Sequence, residues 1–416
     1  MKLHGASAAN IEHWLRSINE FNDTKDFGTT RVLFTPTEVA ARTYVKEEMR
    51  RIGLTVAEDS IGNIFATLEG RDPSLAPVWT GSHIDTVLNA GMFDGMAGIV
   101  SGMEALRLIK ESGVQPLRPI SVVIYTSEEP TRFHLCCLGS RAMAGRLTQA
   151  DTRRLTDDNG QTLYEVLQQL GYDVSQFDLI QKKKGDVFAA VELHIEQSCQ
   201  LEKHQKTLGI VKTICAPTNY AAVAVGRQSH AGGTSMQDRQ DAFAAVCAFA
   251  MELEQMARNA DSEYTTATIG KVRVVPGASN VIPGRVEFSI DIRDCSFASK
   301  NRIMEQIDTS LARIGNERGV DFQLTLENHD VPMPCDPAIR TILKRNCEEE
   351  HAAYMELISG AYHDSMFVGE FAPVAMLFVP SKDGISHSPA EWTDFSDIAT
   401  GTNVLANTLL ELAQQS

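Results

Sequence analysis

A chain of 416 residues with 43% hydrophobic composition has enough apolar material for a large core, and its length suggests two domains or one large domain carrying an insertion. Its net charge of -16 would repel phosphate backbones and anionic lipid heads, and no stretch interleaves Lys and Arg with aromatics, so neither nucleic acid nor membrane is expected as a partner. No segment approaches the ~20 apolar residues that cross a bilayer, and the N-terminal MKLHGASAANIEHWLRS lacks a signal peptide's apolar run. A cytoplasmic location is expected. The eight cysteines are sparse, and their one tight grouping, Cys136 and Cys137, lacks CxxC spacing; they are expected to be reduced and mostly buried.

In chain order, helical spacing from Glu38 to Arg51 precedes a strand near Val78 to Ser82, a helix from about Ala97 to Lys110, and a strand over Ile120 to Thr126. This alternation predicts a mainly parallel sheet flanked by helices on both faces. Near Gly209 the texture changes to longer alternating strands, GIVKTICAPTNYAAVAVG, TTATIGKVRVV and RVEFSIDIRD, with helical stretches at Ala242 to Asn259 and Lys300 to Glu317. After about Val331 the first texture returns, with AMLFVP at Ala375 to Pro380 as another buried strand. The predicted class is α/β: a parallel-sheet domain over 1–211 and 329–416, interrupted by an α+β unit over 212–328.

The chemistry gathers where apolar strands end. In GSHIDTVLNAGMFDGMAG, His83 and Asp85 lie two apart and share a side of an extended backbone, so His83 could bind a metal while Asp85 holds its other ring nitrogen. Asp94 sits in a loop with glycines at 91, 95 and 98, which lets it approach an ion closely; a helix-capping Asp after a strand-end His is the alternative. Glu128 and Glu129 follow the 120–126 strand side by side. Their mutual repulsion is offset best by cations, one carboxylate ligating while the other accepts a proton from water. VFAAVELHIEQ ends with His194, Glu196 and Gln197, and His387 follows the last apolar strand. Three histidines with Asp94 and Glu129 suffice for two ions if one carboxylate bridges, and a donor set without thiolate suits Zn²⁺ or Mn²⁺.

These motifs resemble the M20-type metal-dependent amidohydrolases of the hydantoinase and carbamoylase family. GSHIDTV with FDG, SEEPTRF with LGSR, ELHIEQ, SHAGGTSMQDRQDA, SNVIPGRVEFSIDIRD, AYHDS and GISHSP occur in the family's order across nearly the whole chain. The resemblance implies a dimetal catalytic domain with an inserted lid and dimerisation domain, a homodimer, and two divalent ions. It places His83, Asp94 and His194 around one ion and Asp94, Glu129 and His387 around the other, with Asp94 bridging. Glu128 would be the general base, and Asp85 would orient His83. His230, Asn280 and Arg293 would bind the substrate carboxylate or polarise the scissile carbonyl, with His230 reaching in from the partner subunit, and Gln197 would contact a ureido group. On residue type alone, His230 as a helix N-terminal residue and Arg293 as a strand residue paired to Asp291 or Asp294 remain alternatives.

Within the family, SEEPTRF with CLGSRAMAG, AYHDS and TRVLFT resemble the members that act on ureidoglycolate. That implies hydrolysis of a ureido C–N bond in a small carboxylate, giving glyoxylate, ammonia and carbon dioxide. Members acting on N-carbamoyl-L-amino acids or allantoate are the alternatives, and an M20 dipeptidase is a further one. Tyr362 can hydrogen-bond a substrate hydroxyl that glycine could not, and His363 is expected near the pocket. Ala90 and Ser198 stand where relatives often carry glycine, which bears on substrate and not on reaction class.

Overall fold

Four strands, Val78–His83, Ile120–Tyr125, Ala189–Ile195 and Val374–Val379, are buried along their whole length in the computed structural model, which describes residues 2–415. Strands covered on both faces read as largely apolar runs. They form the parallel centre of one sheet, with Val78–His83 between Ile120–Tyr125 and Ala189–Ile195, and Val374–Val379 parallel to Ala189–Ile195. Ile64–Leu68 and Thr55–Glu58 extend one side antiparallel, and Leu208–Ile214 pairs antiparallel on the other. The protein is thus a mixed α/β fold with a mainly parallel central sheet.

The helices that cover this sheet begin and end for local reasons. The helix expected over 38–51 runs Pro36–Ile52, because the Thr35 hydroxyl accepts the Glu38 N–H, Pro36 opens the first turn, and Gly53 ends it at φ 86°. Met96–Glu111 is buried nearly all round, and it packs on the sheet and on the C-terminal helix Phe395–Ala413.

The chain forms two compact units, one comprising residues up to Lys212, Cys335–Leu357 and everything from His363 on, the other Thr213–Pro334 with Ile358–Tyr362. Against the sequence expectation, the second unit extends to Pro334 and includes the 358–362 segment, whose residues carry no compositional mark of a boundary.

The second unit is an antiparallel sheet in the order Val272–Val275, Arg285–Asp294, Ala216–Val225, Asp321–His329. Every second residue of Arg285–Asp294 is buried, the period of a strand with one packed face. Ile290 and Ile292 on that face join Phe249 and Leu253 of the Ala242–Arg258 helix and Ile303 and Ile307 of Phe297–Arg318 in one core. Two expected long strands are each broken in two. GIVKTICAPTNYAAVAVG divides at Cys215 into strands of different sheets, and TTATIGKVRVV divides into Thr266–Thr268 and Val272–Val275 around Gly270. Strand-like alternation persists through both breaks, so neither was legible.

Candidate metal centre

In open parallel sheets, functional groups collect beyond the carboxyl ends of the strands, and the first unit follows this rule. His83 is the last residue of its strand, His194 lies one residue from the end of the next, and Glu128 and Glu129 follow Ile120–Tyr125. Asp94 lies in the loop before Met96–Glu111, and His387 in the loop between Val374–Val379 and Phe395–Ala413. A Cβ at Gly95 would stand 2.5 Å from the His83 carbonyl oxygen, so a residue without one, at φ 70°, lets this loop pass over the strand end. Gln197 and His387 both hold left-handed backbone at φ 56° and 53°, strain of a kind concentrated at functional sites.

The five expected ligands form two groups that share one carboxylate: His83, Asp94 and His194, and Asp94, Glu129 and His387. Asp94 Oδ1 lies 3.5 Å from His83 Nε2 and 3.2 Å from His194 Nε2. Asp94 Oδ2 lies 3.2 Å from His387 Nε2, which is 3.3 Å from Glu129 Oε1. The ring orientations suit an ion. His83 Nδ1 is 2.9 Å from the Asp85 carbonyl oxygen and His194 Nδ1 is 2.9 Å from the Ile195 carbonyl oxygen, so both Nδ1 atoms donate and both Nε2 atoms face Asp94. His194 Nε2 is buried without a hydrogen-bond partner among the described residues. Imidazole and carboxylate donors without thiolate fit a divalent ion such as Zn²⁺ or Mn²⁺.

The charge balance points the same way. Burial would push the Asp94 carboxyl up, but close approach of His194, His387 and His83 outweighs burial and holds it well below the usual range. Burial would lower His83, yet Asp94, Glu128 and Asp85 raise it well above an ordinary imidazole. Asp94 and Glu129 push His387 up to about 10. Glu128, buried beside Glu129, is pushed well above the carboxylate range by burial, and its Oε2 lies 3.9 Å from His83 Nε2.

Several residues differ from the sequence reading. The Asp85 carboxylate does not hold the His83 ring, from which it is 3.9 Å away; the backbone carbonyl of Asp85 does that. The carboxylate instead accepts the backbone N–H groups of Glu128 at 3.3 Å and Glu129 at 3.0 Å. Gln197 turns its amide onto the cluster, donating to Asp94 Oδ2 at 2.7 Å. His363 is 1% exposed and meets the His194 ring edge-on at 4.6 Å, and burial with His194 adjacent holds it well below the usual imidazole range. It packs against the His194 ring.

The remaining candidates belong to the second unit. His230 is exposed, its Nδ1 accepting the N–H groups of Gly232 at 3.1 Å and Gly233 at 3.0 Å. It pairs with Val281 across a two-residue ladder, and the next N–H, of Ala231, donates to the Asn280 carbonyl at 2.9 Å. Arg293 is paired with Asp291, its Nε 3.0 Å from Oδ1 and its Nη2 3.4 Å from Oδ2. The Tyr362 hydroxyl donates to the Asp330 carboxylate.

Sequence reasoning overlooked three groups beneath the cluster. Glu192 accepts the Ser82 hydroxyl at 2.8 Å and the Ser365 hydroxyl at 2.5 Å. Asp364 accepts the Ser140 hydroxyl at 2.5 Å. Glu391 joins two ligand loops through Phe93, Asp94 and Ser386. Glu192 had a signal, an acidic residue inside an otherwise apolar strand.

With this geometry in place, the family is plain: residues 79–411 match peptidase family M20/M25/M40, and the chain belongs to it as a metal-dependent amidohydrolase of the hydantoinase/carbamoylase group, a hydrolase of non-peptide C–N bonds. Among the relatives it is similar to, an N-carbamoyl-L-amino-acid amidohydrolase from Pseudomonas sp. (strain NS671) is 36% identical over 413 residues, covering 99% of this chain and 100% of the relative. A ureidoglycolate hydrolase from Oryza sativa subsp. japonica is 36% identical over 409 residues, covering 97% and 84%. The crystal structure of AtUAH in complex with glyoxylate superposes with a TM-score of 0.89 at 35% identity, covering 99% of both chains.

Proposed function

We propose that the chain is a two-ion amidohydrolase that cleaves the ureido C–N bond of ureidoglycolate. The observation that carries the reaction class is the pair of three-ligand groups sharing Asp94, with the Glu128 carboxyl beside them. His83, Asp94 and His194 would hold one ion and Asp94, Glu129 and His387 the other, Mn²⁺ or Zn²⁺ in each. When bound, such ions supply Lewis acidity that makes water acidic and polarises the scissile carbonyl. Glu128 takes the proton from the attacking water and passes it to the leaving nitrogen. Asp85 keeps Glu128 and Glu129 in place through their backbone N–H groups.

The substrate assignment rests on the sequence variants around Tyr362 and on relatives whose names include ureidoglycolate hydrolase. The Tyr362 hydroxyl, which donates to Asp330, is the group we assign to the 2-hydroxyl of ureidoglycolate. Arg293, Asn280 and His230, the last from a partner subunit in a homodimer, would bind the carboxylate and carbonyl; for Arg293 this means sharing a guanidinium that already pairs with Asp291. One water converts ureidoglycolate to ammonia, carbon dioxide and hydroxyglycine, and the last collapses to glyoxylate and a second ammonia.

The second reading, an N-carbamoyl-L-amino acid hydrolase, is favoured by the 36% identity to a Pseudomonas relative along that relative's whole length. The purified, Mn²⁺-loaded protein should turn over ureidoglycolate faster than allantoate, N-carbamoyl-L-amino acids or N-carbamoyl-β-alanine in an ammonia-release assay. Rapid turnover of an N-carbamoyl-L-amino acid with none of ureidoglycolate would replace the first reading with the second.

A further inference from the structure

The ligands of the two proposed ions are anchored differently. His83 and His194 are 2% and 1% exposed and stand at the ends of buried strands, so the sheet itself fixes them. Asp94 and His387 come from loops, and the His387 side chain is 49% exposed at left-handed φ. Glu391 lies between these loops, 4% exposed. Its Oε1 accepts the backbone N–H of Phe93 at 2.9 Å and of Asp94 at 3.1 Å. Its Oε2 is 2.8 Å from the hydroxyl of Ser386, the residue before His387, and that hydroxyl oxygen is also 3.0 Å from Asp94 Oδ2.

The neighbours are shaped to this carboxylate. A Cβ at Gly91 would fall 2.4 Å from Glu391 Oε1, so glycine there lets the carboxylate reach the backbone. The adjoining Trp392 ring meets Phe93 edge-on at 5.3 Å, closing the two loops on each other. Burying a second carboxylate beside Asp94 is unfavourable unless it is hydrogen-bonded, and here Oε1 takes two backbone N–H groups of the Asp94 loop while Oε2 shares the one Ser386 hydroxyl proton with Asp94.

We propose that Glu391 is a positioning residue that ties the Asp94 loop to the His387 loop and so sets the affinity of the ion held by Asp94, Glu129 and His387. The inference rests on the two-ion reading above. It assigns Glu391 no contact with substrate or ion.

Calorimetric titration of the chelator-stripped full chain with Mn²⁺ tests it without any substrate. Wild type should take up two ions. Glu391→Ala should weaken the looser ion about 10- to 100-fold, the usual effect of removing a group that orients a ligand, while the tighter ion changes less than about twofold. Glu391→Gln, whose amide oxygen can still accept both N–H groups, should recover most of that affinity. Adding Glu391→Ala to His387→Ala should cost little more, since both act on one site. Ser386→Ala should shift the same ion in the same direction, which keeps the test usable if Glu391→Ala does not fold. Unchanged affinities in Glu391→Ala, equal weakening of both ions, or a Glu391→Gln as damaged as the alanine variant would overturn the inference. A single ion in wild type would refute the two-ion reading itself, and the inference with it, before any variant is compared.

Discussion

The Asp85 carboxylate accepts the backbone N–H of Glu129 at 3.0 Å, and its other oxygen takes the N–H of Glu128 at 3.3 Å. One buried side chain thereby fixes the loop that presents both glutamates, while its own carbonyl fixes the His83 ring. Burial pushes the Asp85 carboxyl up to about 6. Asp85→Ala should lower kcat about 10- to 100-fold through misplacement of Glu128 and Glu129, and Asp85→Asn, which keeps one acceptor oxygen, should fall between. Steady-state kinetics at saturating metal checks the order.

Glu128 and Asp94 separate by readout. Glu128→Gln should retain bound metal and lose about 10²- to 10⁴-fold in kcat, the range for a positioned general base. Asp94→Ala removes the carboxylate common to both groups and should lose metal together with activity. Elemental analysis beside turnover distinguishes them, and an active Glu128→Gln would remove the general-base assignment.

Metal uptake should depend on pH in a defined direction. His387 is held up at about 10 by Asp94 and Glu129, and His83 is raised well above its ordinary value. His387 therefore carries a proton at neutral pH before an ion binds, and a ligand nitrogen must lose its proton to bind an ion. Affinity should therefore fall as pH falls, with protons released on binding at pH 7. Titration in two buffers of different ionisation enthalpy measures that release; identical heats would contradict it. For the ion-free fold the sign is opposite: the His387 contribution to stability is complete below its unfolded value near 6.5 and disappears as pH rises through about 10.

In the second unit, Lys300 is fully buried, its Nζ 3.2 Å from the Ala216 carbonyl and 3.3 Å from that of Pro217, with the Asp330 carbonyl a third acceptor. Lys300→Met should destabilise this unit by about 1–3 kcal/mol, because it removes the ammonium shared by the Ala216, Pro217 and Asp330 carbonyls. Chemical denaturation followed by a probe in the second unit reads the effect.

Much of this was legible in the sequence because a strand buried on both faces is written as an unbroken apolar run, and the polar residues that end it stand out. His83, Glu128, Glu129 and His194 were found in that way, and the α/β class followed from the same runs. Partners joined through the backbone left no such trace. The carboxylate of Asp85 bonds to N–H groups more than forty residues away, which no pattern of side chains records. Glu391 was silent for the same reason, since its partners are two backbone N–H groups and one serine hydroxyl. The split at Cys215 was hidden because Leu208–Ile214 and Ala216–Val225 are both good strands, and only pairing with different neighbours separates them.

The central claim is that Asp94 is shared by two ions, and anomalous diffraction from crystals of the Mn²⁺-loaded protein, collected at the manganese edge, tests it directly. The expected result is two peaks flanking the Asp94 carboxylate, one against His83 and His194 and the other against Glu129 and His387. A single peak, or two peaks of which one lies away from Asp94, would contradict it.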